Sequence, residues 1–306
     1  MSTEIEVVPL VLGRNKEPKP TSTNVAIVLA ALGDAIRYEA HSRRIVCGGI
    51  GSTFPAGVWI DNHTTALVQL CEARGIDASP STVDRAVALH AHRHRYNALT
   101  DFLMQCALEW DDVARLDAAL CTYWHAEDTE ATRITSRVFL LSLAARGLEP
   151  GCKVDTCVAF VGDQGERKSS ALAALVGKQW FSDSPLPIGD KDGMQNLPGK
   201  WLWEFGENAS LSRREVEQVK QFLSTQQDHY RASYGRHAET VLRQICFAAS
   251  TNKIEYLTDP TGNRRHLPVS VSDIDLAGIE RDRLQLIGEA AARVLSEERY
   301  WLSKDE

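Results

Sequence analysis

The chain has 306 residues, 43% of them hydrophobic and 25% charged, which excludes wholesale disorder and allows one large core or two modest ones. A formal net charge of −7 argues against a surface that coats nucleic acid, although a ring of subunits could still present a few cations to a central strand. No segment approaches the roughly 18–20 consecutive apolar residues of a membrane helix, so we expect a soluble, cytoplasmic protein with no membrane partner.

The first half of the chain predicts mostly helices. Residues 1–20 are rich in proline, lysine and small polar residues, and predict a mobile arm or an incomplete leading strand. A capping box at 81–84 predicts the start of a helix that runs to about residue 95. Apolar periodicity predicts further helices at 99–106, 113–124 and 132–145, and one hairpin is expected from arms at 36–38 and 44–46. We therefore predict a mostly helical domain over residues 21–150.

After Pro150 and Gly151 the pattern changes, because short apolar runs now alternate with helical stretches. The predicted strands are 156–161, 202–205, 245–249 and 266–271, and the predicted helices lie near 168–177, 212–225 and 275–298. Strands separated by helices pair in parallel through crossover connections. The sequence thus predicts an α/β domain with a parallel sheet over residues 151–306.

The segment GDQGERKSS, residues 162–170, lies between the first predicted strand and its helix. Strand, loop and helix in this order are the setting of a P-loop, in which backbone N–H groups at a helix N-terminus bind phosphate. Lys168 would reach the β- and γ-phosphates of ATP, and Ser169 would place its hydroxyl on Mg²⁺. The candidate nucleotide-binding residues are Gly162, Gln164, Gly165, Glu166, Arg167, Lys168, Ser169 and Ser170.

One position departs from the GxxxxGK[ST] pattern, which has glycine where this chain has Arg167. A side chain is tolerated there only if its backbone needs neither a positive φ nor a close approach to the ligand. The alternative interpretation of the loop is an N-capped helix with a solvated lysine and arginine.

The second apolar strand ends in two carboxylates, Glu204 and, three residues later, Glu207. A P-loop hydrolase needs one acid near the metal and one to activate the attacking water. We assign Glu204 to the Mg²⁺ shell with Ser169, and Glu207 to polarising the water. The alternative is that both are surface acids at a strand end.

The last two strands also border on polar residues. Asn252, after the strand at 245–249, could orient the attacking water or touch the γ-phosphate, or it could begin a turn. Arg264 and Arg265 could stabilise transition-state charge in a neighbouring subunit, or form surface salt bridges. The order of these features is the one an oligomeric ATPase needs. The predicted catalytic residues are therefore Lys168, Glu204, Glu207, Asn252, Arg264 and Arg265.

In combination, these segments resemble the virulence-associated E (VirE) ATPases of phages, plasmids and genomic islands, which are similar to superfamily 3 helicases and primase-helicases. The likeness covers nearly the whole chain, from 110–117 and 150–155 through the 162–170 loop, 180–183, 199–207, 228–236, 250–252 and 259–265 to 281–285 and 300–302. It implies an AAA+-like P-loop ATPase that forms a ring, a hexamer, in the replication of a mobile element. Single-stranded or origin DNA and a primase or other replication protein are the implied partners.

In a superfamily 3 ring, the segment between the acidic strand and the asparagine strand lies toward the pore. The resemblance therefore makes this segment a candidate for DNA contact through cations and stacking rings. Its candidate residues are Tyr230, Arg231, Tyr234 and Arg236. A second interpretation has Arg231 and Arg236 facing nucleotide across the subunit boundary. The functional hypotheses are a DNA motor, a nucleotide-dependent assembly switch or scaffold, and, disfavoured by the late arginines, a P-loop small-molecule kinase.

Overall fold

The computed structural model describes residues 9–188, 191–206, 221–231, 238–252 and 265–303. Contacts along the chain divide it into two compact units, Met1–Ala98 and Leu99–Glu306. The division precedes the change of pattern at Pro150, because the helices between residues 99 and 148 share a core with the strands that follow. Phe139, for example, stacks edge-on against Phe160 of the sheet, with ring centroids 5.8 Å apart.

The first unit combines three helices with a small antiparallel sheet. The predicted hairpin is confirmed, since Ile36 pairs with Cys47 across its two strands. Residues 9–20, expected as an arm or incomplete strand, fold back so that the Asn24 side chain bonds Val11 and Lys19. The elements are α1 (Ser22–Ala30), β1 (Ile36–Glu39), β2 (Arg44–Cys47), β3 (Gly57–Val58), α2 (Asp61–Glu72) and α3 (Pro80–Arg93).

Helix α3 begins one residue before the predicted capping box. Ser79 is the N-cap, and its hydroxyl accepts a hydrogen bond from the Thr82 amide at 3.3 Å. Pro80 occupies the first helical position, where its missing N–H costs nothing and its fixed φ suits the helix. The predicted N-cap, Ser81, was therefore two residues too late in the chain.

Apart from the segments at 113–124 and 212–225, the predicted strands and helices of the second unit lie within three residues of their expected bounds. The segment predicted as a helix at 113–124 forms a 3₁₀ turn, Leu116–Ala118, and a short helix instead. Of the predicted helix at 212–225, the structure describes residues 221–225, and 221–224 are helical. The elements are α4 (Ala98–Leu108), α5 (Ala119–Tyr123), α6 (Glu130–Leu148), β4 (Cys157–Val161), α7 (Lys168–Val176), β5 (Phe181–Ser182), α8 (Lys191–Gln195), β6 (Leu202–Phe205), β7 (Gln227–Tyr230), β8 (Glu239–Leu242), β9 (Cys246–Thr251), β10 (His266–Ser270) and α9 (Leu276–Leu295).

The predicted α/β class is confirmed by a five-stranded sheet in the order β10-β4-β9-β6-β5, with every neighbouring pair parallel. Strand β9, which is last but one in the chain, lies between β4 and β6. It therefore separates the strand before the loop from the strand that carries Glu204. All five carboxyl ends lie at one edge of the sheet, which we call the carboxyl edge.

Both faces of the sheet are covered, as expected for a parallel sheet. Along β4, Val158 and Phe160 pack in the core shared with α6, α7 and α9, whereas Cys157 and Ala159 pack in a second core on the other face. Strands β6 and β9 alternate in the same way. This alternation decides which strand-end side chains meet helix α7, because only one face of the sheet does.

Strands β7 and β8 form a separate antiparallel hairpin that the sequence did not predict. Their sequences are mostly polar, so neither shows the apolar run of a buried strand. At its base, Arg243 makes two 2.7 Å hydrogen bonds to Asp228, and both side chains are buried. The guanidinium also lies 4.1 Å from the ring centroid of Phe222, which anchors the hairpin to the core.

All seven cysteines lie in the described residues and are free thiols, and five of them are buried. None of the helices in the described part of the chain combines the length and apolarity that crossing a bilayer demands.

Candidate functional site

The loop between β4 and α7 lies at the carboxyl edge. Its first residue, Gly162, donates its N–H to Thr251 at 3.1 Å, which continues the pairing of β4 with β9. A Cβ on Gly162 would lie 2.5 Å from the carbonyl oxygen of Val271, so a glycine is needed where this strand end passes the segment after β10. Gly165 has a φ of +98°, which favours glycine as well.

Arg167 is the N-cap of α7 and has the left-handed conformation, with φ 58° and ψ 27°. A side chain at this position was expected to be tolerated only if the backbone does not need a positive φ. The structure has a positive φ here, so that condition is not met. A non-glycine residue in this region is strained by about 1–2 kcal/mol relative to the right-handed region. The side chain is exposed and has no hydrogen bond or ion pair to the described residues.

Lys168, the first residue of α7, is buried with 8% of its surface exposed. Its ammonium group donates to the carbonyl oxygens of Gly162 and Asp163, both at 2.8 Å. The lysine therefore folds over the loop rather than into solvent. This contradicts the alternative interpretation of the loop in which Lys168 is solvated.

Glu204 lies on the face of the sheet that meets α7, and only 2% of its surface is exposed. The hydroxyl of Ser169, in the first turn of α7, donates to Glu204 Oε1 at 2.9 Å. Burial raises the pKa of Glu204, while hydrogen bonds from Ser250 and Ser169 act in the opposite direction. A buried glutamate held by the loop helix is not a surface acid, so that alternative is excluded for Glu204.

The second oxygen of Glu204, Oε2, is buried and has no hydrogen-bond partner within the described residues. A buried carboxylate oxygen without a partner is costly and marks a place where a cation fits. Mg²⁺ prefers oxygen ligands, and takes one or two carboxylates beside substrate phosphates rather than an all-protein cage. Among the described residues, no group of three or more His, Cys, Asp or Glu side chains could hold a metal ion. The Ser169 and Glu204 oxygens therefore suit Mg²⁺ bound together with a phosphate.

Strand β9 brings its polar end beside the loop. Ser250 and Thr251 are buried, and Asn252 follows them as an exposed residue at the carboxyl edge. The pairing of Thr251 with Val161 sets Asn252 next to Gly162, where the loop begins. Asn252 therefore lies beside the start of the loop at the carboxyl edge, and its part in orienting water stays a prediction.

The remaining loop residues differ in their surroundings. The Glu166 carboxylate accepts a short hydrogen bond from the backbone N–H of Asp273, which ties the loop to the segment after β10. Gln164 and Ser170 are exposed. Glu207, the predicted water-activating acid, lies outside the described residues.

Arg265 lies at the opposite edge of the sheet. It precedes β10, whose first residue, His266, pairs with Cys157 at the start of β4. The five residues of β4 therefore separate it from the loop, about 16 Å along the strand. Its Nε is buried without a hydrogen-bond partner among the described residues. Arg264 lies outside the described part of the chain.

The candidate DNA-contacting residues lie on or after β7. Tyr230, the last residue of β7, has only 8% of its surface exposed, so its ring is covered by the protein in this conformation. Arg231 directly follows and is exposed. Tyr234 and Arg236, between β7 and β8, lie outside the described residues.

Residues 103–306 match the family model of the virulence-associated protein E-like domain. The chain belongs to this family. The resemblance predicted from the sequence motifs is thereby confirmed. The match spans α5 to α9 and so includes the loop, Glu204 and both predicted arginines.

Among solved structures, the chain is similar to the apo C-terminal region of NrS-1. For one such structure the TM-score is 0.49 at 11% identity, with 87% of this chain and 68% of that chain covered. For another, the A form, the TM-score is 0.47 at 10% identity, covering 88% of this chain and 68% of that one. No curated protein matches the chain.

No role was predicted for Asp183, which is a further acid of this region. It follows the two-residue strand β5, beside β6, and is exposed at the carboxyl edge. Its charge contributes to the raised pKa of Glu204, after the larger effect of burial. In the sequence, Asp183 stands two residues after the aromatic pair Trp180 and Phe181. A strand of two residues is too short to show the alternation by which strands are predicted.

Proposed function

We propose that the chain binds ATP with Mg²⁺ at the carboxyl edge and hydrolyses it between the subunits of a ring, a hexamer. Hydrolysis would drive movement on DNA, or its remodelling, in the replication of a phage or other mobile element. The observation that carries the proposal is the 2.9 Å contact between Ser169 Oγ and Glu204 Oε1 beside the buried Lys168. These three side chains are the ones that a P-loop ATPase needs for phosphate and metal.

Each residue has a defined part in this proposal. The first N–H groups of α7 would bind phosphate oxygens, and Lys168 would exchange its bonds to Gly162 and Asp163 for bonds to phosphate. Ser169 and Glu204 would hold Mg²⁺, which when bound neutralises charge on the β- and γ-phosphate oxygens. Asn252 would orient the attacking water from the end of β9.

The proposal of DNA and protein partners is supported by the membership of the chain in this family. The hairpin of β7 and β8 supports them, because it presents Arg231 from the unit that carries the loop. Single-stranded or origin DNA would lie along such hairpins in a ring, and a primase or other replication protein would act beside it. A cationic side chain there would contact DNA phosphates.

A nucleotide-dependent assembly switch or scaffold is the second candidate. Two observations favour it: Arg167 is held in a strained left-handed conformation, and Lys168 is bonded to the carbonyl groups of the loop. Both would slow turnover without preventing ATP from binding. In this case ATP would drive assembly, and no strand would be unwound.

Binding of a fluorescent ATP analogue with Mg²⁺ tests the site. We expect Lys168→Ala to weaken binding on the order of 10- to 100-fold, because a hydrogen bond to a charged group contributes about 1.5–3 kcal/mol. Lys178→Ala is the matched control, since Lys178 is exposed just beyond the other end of α7. No affinity in the wild-type protein, or equal effects of the two substitutions, would refute the site.

Turnover then separates the candidate functions. One measurement is the steady-state ATPase rate with and without single-stranded DNA. The other is the particle size with and without ATP and Mg²⁺, and together they can give three patterns. DNA-stimulated hydrolysis by a ring supports the motor, and assembly without turnover supports the switch. Transfer of phosphate to a metabolite would contradict both and support a small-molecule kinase.

A further inference from the structure

Asp183 comes directly after strand β5, and Glu204 lies on the neighbouring strand β6. Strands β5 and β6 are parallel, with Phe181 opposite Leu202 and Ser182 opposite Trp203. Continuing this register by one residue sets Asp183 opposite Glu204. Neighbouring strands lie about 4.8 Å apart, so the two acids are lateral neighbours at the carboxyl edge.

Both acids also lie on the same face of the sheet. Phe181 and Leu202 pack in the core shared with α7, while Trp203 packs in the core on the other face. Since side chains alternate along a strand, the acids two residues after Phe181 and Leu202 return to the α7 face. The hydrogen bond from Ser169 to Glu204 shows this placement directly for Glu204.

The two acids differ in their access to solvent. Glu204 is buried, and its Oε2 has no partner among the described residues, whereas Asp183 is exposed. Mg²⁺ dehydrates reluctantly and keeps several waters when it binds to protein and phosphate. An exposed carboxylate one strand beyond the metal-facing one suits a hydrogen bond to such a water better than direct coordination.

We propose that Asp183 is a second acidic residue of the nucleotide site, which binds a water molecule of the hydrated divalent cation and so sets the affinity for that cation. This inference rests on the proposed function. Asp183 is a positioning residue in this scheme, because it acts on the cation through water. Residues in this outer position commonly change metal affinity or activity 10- to 100-fold when substituted.

Two affinities of the Asp183→Asn variant test the role. We expect the affinity for Mn²⁺, measured by electron paramagnetic resonance with a nonhydrolysable ATP analogue bound, to fall about 10-fold or more. The affinity for the analogue in EDTA should rise by a few-fold, because a negative charge near the phosphates is removed. A merely structural role would weaken both affinities. Asp183→Glu should recover part of the Mn²⁺ affinity.

Asp155→Asn is the matched control, because Asp155 lies two residues before β4, at the edge of the sheet away from the loop. It removes the same charge and should leave both affinities unchanged. If the wild-type protein binds no ATP analogue, the proposed function itself fails. If it binds Mn²⁺ with the analogue, and Asp183→Asn binds Mn²⁺ equally well, only the role of Asp183 is refuted. If the Mn²⁺ affinity of Asp183→Asn is unchanged but its ATP turnover is slower, Asp183 would act as a base on the attacking water instead of binding the water of the cation.

Discussion

The two edges of the parallel sheet carry different parts of the predicted machinery. At the carboxyl edge, the buried Lys168 bonds to the loop, and the buried Glu204 accepts a hydrogen bond from the partly buried Ser169. At the opposite edge, Arg265 is separated from them by the length of β4. A nucleotide at the first edge therefore lies out of reach of the arginine of the same chain.

This separation determines which nucleotide Arg265 could reach. If Arg265 stabilises the γ-phosphate, it does so in a neighbouring subunit, because its own loop is about 16 Å away along the strand. A single chain would then hold the nucleotide and lack part of the catalytic charge. Turnover would then require the proposed ring. Experiments can test whether the two edges of the sheet have these separate roles.

The largest expected effect concerns Arg265→Ala. We expect ATP turnover to fall on the order of 10³-fold, as for other arginines supplied to a phosphoryl transfer, with ATP affinity nearly unchanged. Mixtures of variant and wild-type subunits should lose more activity than dilution explains. The measurement is the ATPase rate across a series of mixing ratios.

Arg281→Ala is the control for that series. Arg281 is exposed, with 69% of its side-chain surface accessible, and its ion pair among the described residues is with its neighbour Asp282. We expect no loss in its mixtures. A strictly proportional loss with Arg265→Ala would show that this arginine does not act across a subunit boundary.

Glu204→Gln tests the carboxyl edge and has the next largest expected effect. Losing the metal carboxylate should remove several kcal/mol of transition-state stabilisation, and hence lower turnover about 100-fold or more. Binding of ATP without metal should survive. Glu130→Gln, in the exposed first turn of α6, is the control. Equal Mg²⁺-dependent rates in wild type and Glu204→Gln would contradict the assignment.

The same variant makes a prediction about pH. Burial raises the pKa of Glu204 in the folded protein above its unfolded value, so the folded state binds this proton more tightly. The corresponding stability is present at low pH and is lost as the pH rises through the folded pKa. Without metal, wild-type stability should fall across this range relative to Glu204→Gln. Parallel curves from urea unfolding at several pH values would count against it.

Close packing of the loop against the segment after β10 predicts a smaller effect, on stability. Gly162→Ala would place a Cβ 2.5 Å from the Val271 carbonyl oxygen, and such overpacking costs about 1–3 kcal/mol. Gly206→Ala is the control, because a Cβ there meets no atom of the described residues within 4 Å. Urea unfolding measures both. Equal losses in the two variants would mean that the contact with Val271 does not constrain the loop.

Much of the sheet could be predicted because its strands are short apolar runs. The order of strand, loop and helix also placed Lys168 and Ser169 at the start of α7, Glu204 on β6 and Asn252 after β9. Hairpin strands β7 and β8 could not be predicted, because their stability comes from a buried ion pair between Asp228 and Arg243, fifteen residues apart. The edge occupied by Arg265 also depends on which strands pair, and a list of motifs in chain order does not contain that information.

The smallest expected effect concerns the departure at Arg167. Arg167→Gly relieves a left-handed strain of about 1–2 kcal/mol, of which about 0.5–1 kcal/mol is offset by the greater freedom of glycine in the unfolded chain. We therefore expect a net gain of about 0.5–1 kcal/mol in the free energy of unfolding. Turnover should also rise several-fold, because the loop could then approach the phosphates without the strain at its N-cap.

Glu297→Gly separates these two consequences. Glu297 is exposed after α9 and also has a left-handed backbone, with φ 64° against 58° at Arg167. Its replacement should raise stability by a similar amount and leave turnover unchanged. Turnover that rises only in Arg167→Gly would identify the arginine as a restraint on an otherwise complete ATPase. Turnover that stays low in both variants would favour the assembly switch, with the carboxyl edge built to bind the nucleotide and hold it.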